Sequence, residues 1–402
     1  MHNEQIFVKP SLTHRELLSF EKMLLHQITK FFSNSYFRNY YPSSFTFPVS
    51  SNNNNNKNEI FDFRSDTVTT PTEEMFEAMV KASRGDDVFE DDHSTKELEA
   101  YVAHLTGYKS ALMTVSGTMA NQLAIRSHLL QPPHSILCDY RSHIYTYEAG
   151  GIAYHSQAQV IPLQPKNNIH LTFGEISSNI ILSDDVHFAP TRVISLENTL
   201  NGLILPLSEI KNISDVARKK GIKMHLDGAR IWNASAETEI ALNSYGEYFD
   251  SMSLCFSKSL GAPIGSALVG NEKFIKKARH LRKLFGGGWR QSGLLAAAAK
   301  LAIESNFPQK LKETHELARK LSEGLSKHGI IITDPVHTNM VFIDTAAVNI
   351  TIKKLAESLA LHGIRIFDND GTITRLVVHY QITPQAIAKF VQVAGEIVKK
   401  NE

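Results

Sequence analysis

The sequence predicts an α/β fold in which a mostly parallel sheet is covered by helices, followed by a smaller α+β domain. From residue 59 to about 310, short apolar segments alternate with helical patterns, which is typical of strand–helix–strand units. After residue 311 the order becomes helix, strand, strand, helix, strand, strand, helix. We therefore expect an N-terminal extension over 1–58, a large domain over 59–310 and a small domain over 311–402.

The composition limits the classes of function. Lys and Arg number 42 against 41 Asp and Glu in 402 residues, and a net charge of +1 argues against a nucleic-acid partner. The two cysteines, Cys138 and Cys255, exclude a disulfide framework and a cysteine-rich zinc site, and no metal site is predicted. No apolar run approaches the roughly 18 residues of a membrane span. The composition is typical of a soluble intracellular enzyme without a membrane partner.

The extension differs in character from the rest of the chain. Apolar residues recur at helical spacing over about 14–33, and the asparagine run at 52–56 has nothing to bury and indicates a linker. Six Lys or Arg against three Glu also suit a mitochondrial presequence. Such presequences avoid acids, however, and Glu4, Glu16 and Glu21 therefore favour an appended segment on a cytoplasmic protein, with mitochondrial targeting as the alternative.

Apolar runs bounded by turn residues predict the strands, and amphipathic periods predict the C-terminal helices. The strands expected in the large domain are Ser110–Val115, Ser135–Cys138, Val193–Leu196, Ile222–Leu226, Met252–Phe256 and Ala267–Val269. Those expected in the small domain are Gly329–Thr333, Asn339–Asp344, Ile364–Phe367 and Arg375–Tyr380, with helices over His315–His328, Thr351–His362 and Pro384–Lys400.

Three of these strand ends carry residues suited to chemistry. Ser116, Gly117 and Thr118 follow the first strand and open a helix, where free backbone N–H groups and two hydroxyls suit a phosphate, although helix capping alone explains such residues more often. Asp227 follows another strand, at the sheet edge where open α/β folds bind ligands, and the alternative is an N-cap paired with Arg230.

Lys258 follows a third strand, and a single lysine in such a place is usually a solvated charge. Taken together, the three strand ends provide what pyridoxal phosphate requires. The Ser-Gly-Thr turn would anchor the phosphate, Asp227 would keep the pyridine nitrogen protonated, and Lys258 would form an imine with the aldehyde. Arg230 would steady the phenolic oxygen of the ring. The sequence therefore predicts a pyridoxal phosphate enzyme.

The chain also resembles the L-threonine aldolases of low specificity, which belong to the fold-type-I pyridoxal phosphate enzymes. The resemblance runs from residue 61 to about 385, and its most specific parts are the Arg-Ser-Asp-Thr-Val-Thr opening and the Gly-Gly-Gly-Trp-Arg-Gln segment. Besides the Asp227 and Lys258 strand ends, the matching stretches are Phe63–Thr69, Gly85–Val88, Ser116–Asn121, Leu196–Thr199 and Gly286–Gln291. The resemblance implies the PLP-dependent transferase-like fold of aspartate aminotransferase and cleavage of L-threonine, with L-allo-threonine as a further substrate, to glycine and acetaldehyde.

The resemblance also implies roles for individual residues. Lys258 would be the Schiff-base lysine, and His143 would stack on the ring and lie near the substrate hydroxyl. The base that takes the hydroxyl proton would be His143, His187 or a bound water. The other cofactor contacts would come from Ser116, Gly117, Thr118, Asp227 and Arg230, and from Lys283 and Arg290 reaching a neighbouring subunit's cofactor within a homotetramer built as a dimer of dimers. The substrate contacts would come from Ser65, Tyr147, His187 and Arg375.

Two departures from the family pattern bear on substrate choice. Many relatives carry a histidine where this chain has Leu200, so that histidine's role cannot be transferred. The position of Tyr147 varies in the family, which leaves the preference between threonine and allo-threonine open. The nearest alternative function is a sister lyase of the same fold, with serine hydroxymethyltransferase-like or β-eliminating activity, and the more distant one is a catalytically silent interaction protein.

Overall fold

The computed structural model describes residues 60–401. The expectations for the extension over 1–58 lie outside these residues. Within the described range, no helix is both long and apolar enough to span a bilayer.

Twelve strands occupy the described part of the chain. The first eight are β1 Phe61–Asp62, β2 Ser110–Thr114, β3 Ser135–Asp139, β4 Gln159–Leu163, β5 Thr191–Glu197, β6 Lys223–Gly228, β7 Ser251–Cys255 and β8 Ser266–Gly270. The last four are β9 Ile331–Ile332, β10 Met340–Asp344, β11 Ile364–Arg365 and β12 Ile373–Val377.

Seven of these strands form the large sheet, in the order β2-β8-β7-β6-β5-β3-β4. The strands from β7 to β4 run parallel, whereas β8 runs antiparallel to both of its neighbours. The predicted mostly parallel sheet is therefore confirmed. Strands β5, β6 and β7 lie side by side and parallel, so that Asp227 and Lys258 lie at one edge of the sheet. Strand β2 runs in the same direction on the other side of β8, which places Ser116 at that edge too.

The helices α1 to α13 connect and cover the strands. Their bounds are α1 Glu73–Lys81, α2 His93–Thr106, α3 Gly117–His128, α4 His143–Thr146, α5 Phe173–Asn179, α6 Leu207–Lys219, α7 Ile231–Thr238, α8 Leu242–Gly246, α9 Glu272–Leu284, α10 Gly293–Asn306, α11 Gln309–Ser326, α12 Ile352–Ala360 and α13 Pro384–Asn401. Several begin with a capping side chain, such as Ser116 of α3, whose hydroxyl accepts the Met119 N–H at 3.1 Å.

A second, smaller layer follows the large sheet. Strands β9, β10 and β12 pair antiparallel in the order β12-β10-β9, while β1 pairs in parallel with β11 near the other end of the chain. A separate hydrophobic core lies under this layer and joins Phe63 to residues of α11, α12 and α13. The α+β character expected of the C-terminal region is present, and the division at residue 310 stays a prediction.

Candidate active site

A cavity of about 350 Å³ opens at the carboxyl edge of the large sheet. It is lined by residues from all three predicted strand ends, including Ser116, Gly117, Asp227, Arg230 and Lys258. These residues are far apart in sequence, and the shared direction of β2, β6 and β7 brings them to one edge of the sheet. The size is in the range of small-molecule sites, roughly 300–1,000 Å³.

The first turn of α3 forms one wall of the cavity. The backbone N–H groups of Gly117 and Thr118 have no protein partner among the described residues, as expected at a helix start. Both residues line the cavity, so these donors and the positive end of the helix dipole can receive an anion. The wall therefore suits a phosphate group.

Asp227 ends β6 and is almost completely buried. Its carboxylate accepts a hydrogen bond from Asn121 Nδ2 at 2.7 Å and one from the Ala229 backbone N–H at 3.1 Å. It still lines the cavity, and a buried carboxylate held in this way can pair with a protonated ring nitrogen.

Arg230 is held by a buried carboxylate. Its Nε donates to Asp66 Oδ2 at 2.7 Å and its terminal nitrogen to Asp66 Oδ1 at 2.5 Å, in a two-pronged ion pair. The hydroxyl of Ser259 also donates to Asp66 Oδ2, at 2.7 Å. Burial opposes ionisation of Asp66, yet the charges of Arg230 and Lys258 hold its pKa well below the usual value. Arg230 consequently has a fixed position in the cavity wall.

His143 begins the short helix α4 and also lines the cavity. Its Nδ1 lies 2.8 Å from Glu148 Oε1, and Glu148 in turn accepts from Asn121 Nδ2 at 2.9 Å and Gln122 Nε2 at 2.6 Å. An ionised Glu148 can only accept, so the proton belongs on Nδ1 and leaves Nε2 of a neutral ring as an acceptor. The ring is therefore oriented by the protein before any ligand binds.

Glu197 ends β5, directly opposite Asp227 in the strand register. Its Oε2 accepts the His143 backbone N–H at 2.8 Å, and its side chain lines the cavity. Burial, and then the neighbouring Asp227 charge, raise the pKa of this carboxyl to about 8. Glu197 thus loses its proton at a higher pH than an ordinary glutamate does.

Two predicted substrate-binding residues come from β12 and from the start of the described chain. Arg375 is half-buried, its terminal nitrogen donates to the Arg64 carbonyl at 3.5 Å, and its Nε has no hydrogen-bond partner in the described structure. Burial, and then the positive charge of Arg230, lower the pKa of this guanidinium. An unpaired guanidinium N–H in the protein suits an anion, which a carboxylate provides. Ser65 lies two residues before Thr67, which lines the cavity, and its Oγ accepts the Thr67 N–H at 3.2 Å.

Other predicted site residues do not line this cavity. Lys283 and Arg290 are exposed, and Arg290 donates to Asp86 at 3.0 Å. His187 is also exposed and pairs with Asp185, with Nδ1 and Oδ1 2.6 Å apart, whereas Tyr147 is 75% exposed beside the His143 ring. Ser65 and Arg375 are not among the residues lining the cavity either. The described structure therefore brings together the predicted cofactor contacts of one chain, and the roles given to all the predicted site residues stay predictions.

The residues present fit pyridoxal phosphate. The cavity offers free helix N–H donors for its phosphate, a carboxylate for its ring nitrogen and the side chain of Lys258 for its aldehyde. Donor atoms of His143, Glu148 and Asp227 also lie within 4.8 Å of one another, a spacing that a metal ion would accept. Both carboxylates already accept hydrogen bonds from Asn121, however, so their placement is explained without an ion.

Comparison with known proteins agrees with this geometry. Residues 62–348 match the family model described as beta-eliminating lyase. A low specificity L-threonine aldolase of Saccharomyces cerevisiae is 48% identical over 329 residues, 82% of this chain and 84% of the relative. The threonine aldolase structure of Leishmania major superposes with a TM-score of 0.73 at 20% identity, covering 84% of this chain and 99% of that one. A structure of SPT with PLP superposes at 0.65 and 19% identity, covering 85% and 88%.

Proposed function

This chain belongs to the beta-eliminating lyase family, and from that premise we propose that it uses pyridoxal phosphate to cleave L-threonine into glycine and acetaldehyde. The observation that carries the proposal is the meeting of the α3 N-terminus, Asp227, Arg230 and Lys258 around one cavity of about 350 Å³. The high identity to a low specificity L-threonine aldolase supports the choice of substrate.

When bound, the cofactor accepts the electron pair of a bond broken at the α-carbon of the amino acid. The free N–H groups of Gly117 and Thr118 would hold its phosphate, Asp227 would keep its ring nitrogen protonated, and Arg230 would face its ring oxygen. Lys258 supplies the primary amine that bonds to the cofactor in the resting enzyme. Each of these residues lines the same cavity, as this division of work requires.

The remaining residues act on the amino acid. Arg375 has a buried nitrogen free to bind the substrate carboxylate, and Ser65 would assist it. Binding the carboxylate in this way would orient the substrate and so select which bond at the α-carbon is cleaved. The acceptor nitrogen of His143 is available to take the β-hydroxyl proton directly or through a water as acetaldehyde leaves. Glu148 contacts Nδ1 and so orients the ring with Nε2 as the nitrogen left for the substrate.

We also propose that the enzyme is a homotetramer built from dimers whose sites are completed by a second copy. Two exposed cations, Lys283 and Arg290, lie outside the cavity of their own chain. Their exposure supports the view that they reach the cofactor phosphate of another subunit. Sedimentation of the loaded protein measures the oligomeric state directly.

The decisive experiment compares the wild-type enzyme with Lys258→Ala. We expect the variant to lose the visible absorption of the lysine-bound cofactor and nearly all acetaldehyde production from L-threonine. Lys273→Ala, an exposed lysine on α9, is the matched control and should retain both. Substantial aldolase activity in Lys258→Ala would overturn the proposal. A wild-type enzyme that binds the cofactor but yields pyruvate from L-serine and no acetaldehyde would indicate a sister lyase.

A further inference from the structure

Glu197 and Asp227 line the proposed cofactor site and Glu148 contacts it through His143, and these three carboxyl groups differ in how many donors they accept. Glu148 accepts hydrogen bonds from Asn121, Gln122 and His143. Asp227 accepts from Asn121 and from the Ala229 backbone N–H. Each of these two carboxyl groups is therefore supplied with at least two hydrogen-bond donors.

Glu197 is the exception among the three. Its carboxyl accepts one hydrogen bond in the described structure, from the His143 backbone to Oε2 at 2.8 Å. The side chain is half-buried and lines the cavity, so Oε1 is not enclosed by protein donors. A carboxyl that accepts a single donor and faces the ionised Asp227 is poorly placed to hold a negative charge.

The charged and titratable groups around Glu197 support this assignment. Burial and Asp227 raise its pKa to about 8, and the opposing charges of Lys258 and Arg230 do not offset them. Its other titratable neighbours are His143 on α4, Cys138 in β3, and Asp139 and His170 across a second, smaller cavity.

That second cavity gives the carboxyl a contact away from the substrate. Glu197 lines it together with Asp139 and His170, and its volume of about 10 Å³ has room for roughly one water. His170 is only half-buried, so this side of Glu197 lies toward the protein surface.

We propose that Glu197 is a neutral carboxylic acid at neutral pH and that its O–H donates a hydrogen bond to an anionic oxygen of the ligand in the cofactor cavity. The ligand class is one with a delocalised or carboxylate oxygen, as offered by the cofactor ring and by an amino-acid substrate. The protonation itself depends only on residues of this chain, whereas its use for binding rests on the proposed function. The same device, a buried carboxyl kept protonated so that it can donate, is known in other enzymes.

Infrared difference spectroscopy of the full-length, cofactor-loaded protein tests the protonation. We expect the carboxylic-acid C=O band to be present two pH units below about 8, to disappear two units above it, and to be lost in Glu197→Gln. Glutamine keeps the acceptor for the His143 N–H, so the fold should be retained. Glu316→Gln, the same change at an exposed glutamate, should leave the band intact. Identical spectra for wild type and Glu197→Gln would overturn the inference.

Cofactor affinity, measured by absorbance titration of the cofactor-depleted protein, tests the hydrogen bond. A glutamine amide can still donate, so Glu197→Gln should bind the cofactor within about threefold of wild type, while Glu197→Leu should bind at least about tenfold more weakly. Wild-type affinity should fall at pH values above about 8 relative to that of Glu197→Gln. Equal weakening in the two variants would overturn the donor role. An infrared band in an enzyme that releases no acetaldehyde would overturn the proposed function alone.

Discussion

The buried pair of Asp66 and Arg230 allows a sharp test of how the site is held together. Asp66 is completely buried, the Arg230 side chain is 13% exposed, and the closest approach of the two charges is 2.5 Å. Asp66→Asn keeps the shape of the side chain but leaves the guanidinium without a countercharge. Removing one partner of a buried pair costs about 3–5 kcal/mol, because the remaining charge is desolvated and uncompensated. We expect a loss of that size in the free energy of unfolding.

Asp62→Asn is the matched control, because Asp62 also binds an arginine, but nearer the surface. Arg64 lies 2.6 Å from it and the two side chains are 35% and 15% exposed, so this change should cost no more than about 1 kcal/mol. Urea unfolding followed by circular dichroism at fixed protein and cofactor concentrations measures both variants. A free energy of unfolding for Asp66→Asn within about 1 kcal/mol of that for Asp62→Asn would refute the argument.

The pH dependence of the same pair has a definite sign. The pKa of Asp66 is lowered from 3.8, so its contribution to stability is present above that pH and is lost as the pH falls toward the lowered value. Wild type should therefore lose stability on acidification below about pH 4 more steeply than Asp66→Asn. Parallel curves for the two proteins would show that Asp66 is not a paired anion in the native state.

Three further predictions concern the cavity wall, the buried acid and the subunit contact. In Gly117→Ala the new Cβ would lie 2.7 Å from Cys255 Sγ, so the free energy of unfolding should fall by about 1–3 kcal/mol and cofactor affinity should fall with it. Gly174→Ala places its Cβ in open space and is the control, which should change neither quantity. Urea unfolding and absorbance titration with the cofactor measure both variants. The raised pKa of Glu197 means that, between about pH 4.5 and 8, the folded protein holds a proton which the unfolded chain has lost. As the pH rises through this range, the free energy of unfolding of wild type should therefore fall relative to that of Glu197→Gln, by at most about 1.4 kcal/mol per pH unit. An equal pH slope in the two proteins would contradict this. Arg290→Ala breaks only the partly exposed ion pair with Asp86 and should cost at most about 1 kcal/mol of stability. It should nevertheless weaken cofactor binding in the assembled enzyme. Unchanged cofactor affinity would show that Arg290 does not contact the cofactor of a neighbouring subunit.

Much of the large sheet could be predicted from local sequence, whereas strand order could not. Each predicted large-domain strand is found within about two residues of its expected ends, because a buried parallel strand is a short apolar run. Strand β4 was missed since Pro162 interrupts its pattern, and the sheet places it at an edge, where a proline is tolerated. The pairing of β1 with β11 depends on residues some 300 positions apart, and although a strand was expected at Ile364–Phe367, its two-residue partner β1 leaves no periodic signal.

The same contrast holds for the site. Asp227 and Lys258 were predictable because each directly follows an apolar strand. Glu197 ends β5 in the same way, so the rule that a carboxylate at the end of an apolar strand lies at the site applies equally to it. Glu197 entered the sequence-based prediction only as part of the Leu196–Thr199 match. Glu148 gives no such signal, because it follows α4 in a loop and reaches the site through hydrogen bonds from another helix.

Asn121 shows why a hydrogen-bond network of this kind appears only in three dimensions. Burial lowers the pKa of His225 to about 4 and that of His128 well below its usual value, so both rings are neutral at physiological pH. His128 Nε2 and His225 Nδ1 both contact the hydroxyl of Ser251, at 2.7 and 2.9 Å, and His225 Nε2 lies 3.1 Å from Asn121 Oδ1. Because an amide oxygen can only accept, His225 must donate to it from Nε2.

The donors then run in one direction. His225 carries its proton on Nε2, so its Nδ1 must accept from Ser251, and Ser251 in turn accepts from His128. The amide of Asn121 is thereby fixed with its oxygen toward His225 and Ser253 and its nitrogen toward Asp227 and Glu148. One buried amide therefore supplies hydrogen bonds to both the proposed partner of the cofactor ring and the carboxylate that orients His143. Reversing this amide would place its oxygen next to two carboxylates. By holding the amide in its present orientation, the two neutral histidines therefore help to keep a hydrogen-bond donor pointed at Asp227 and Glu148.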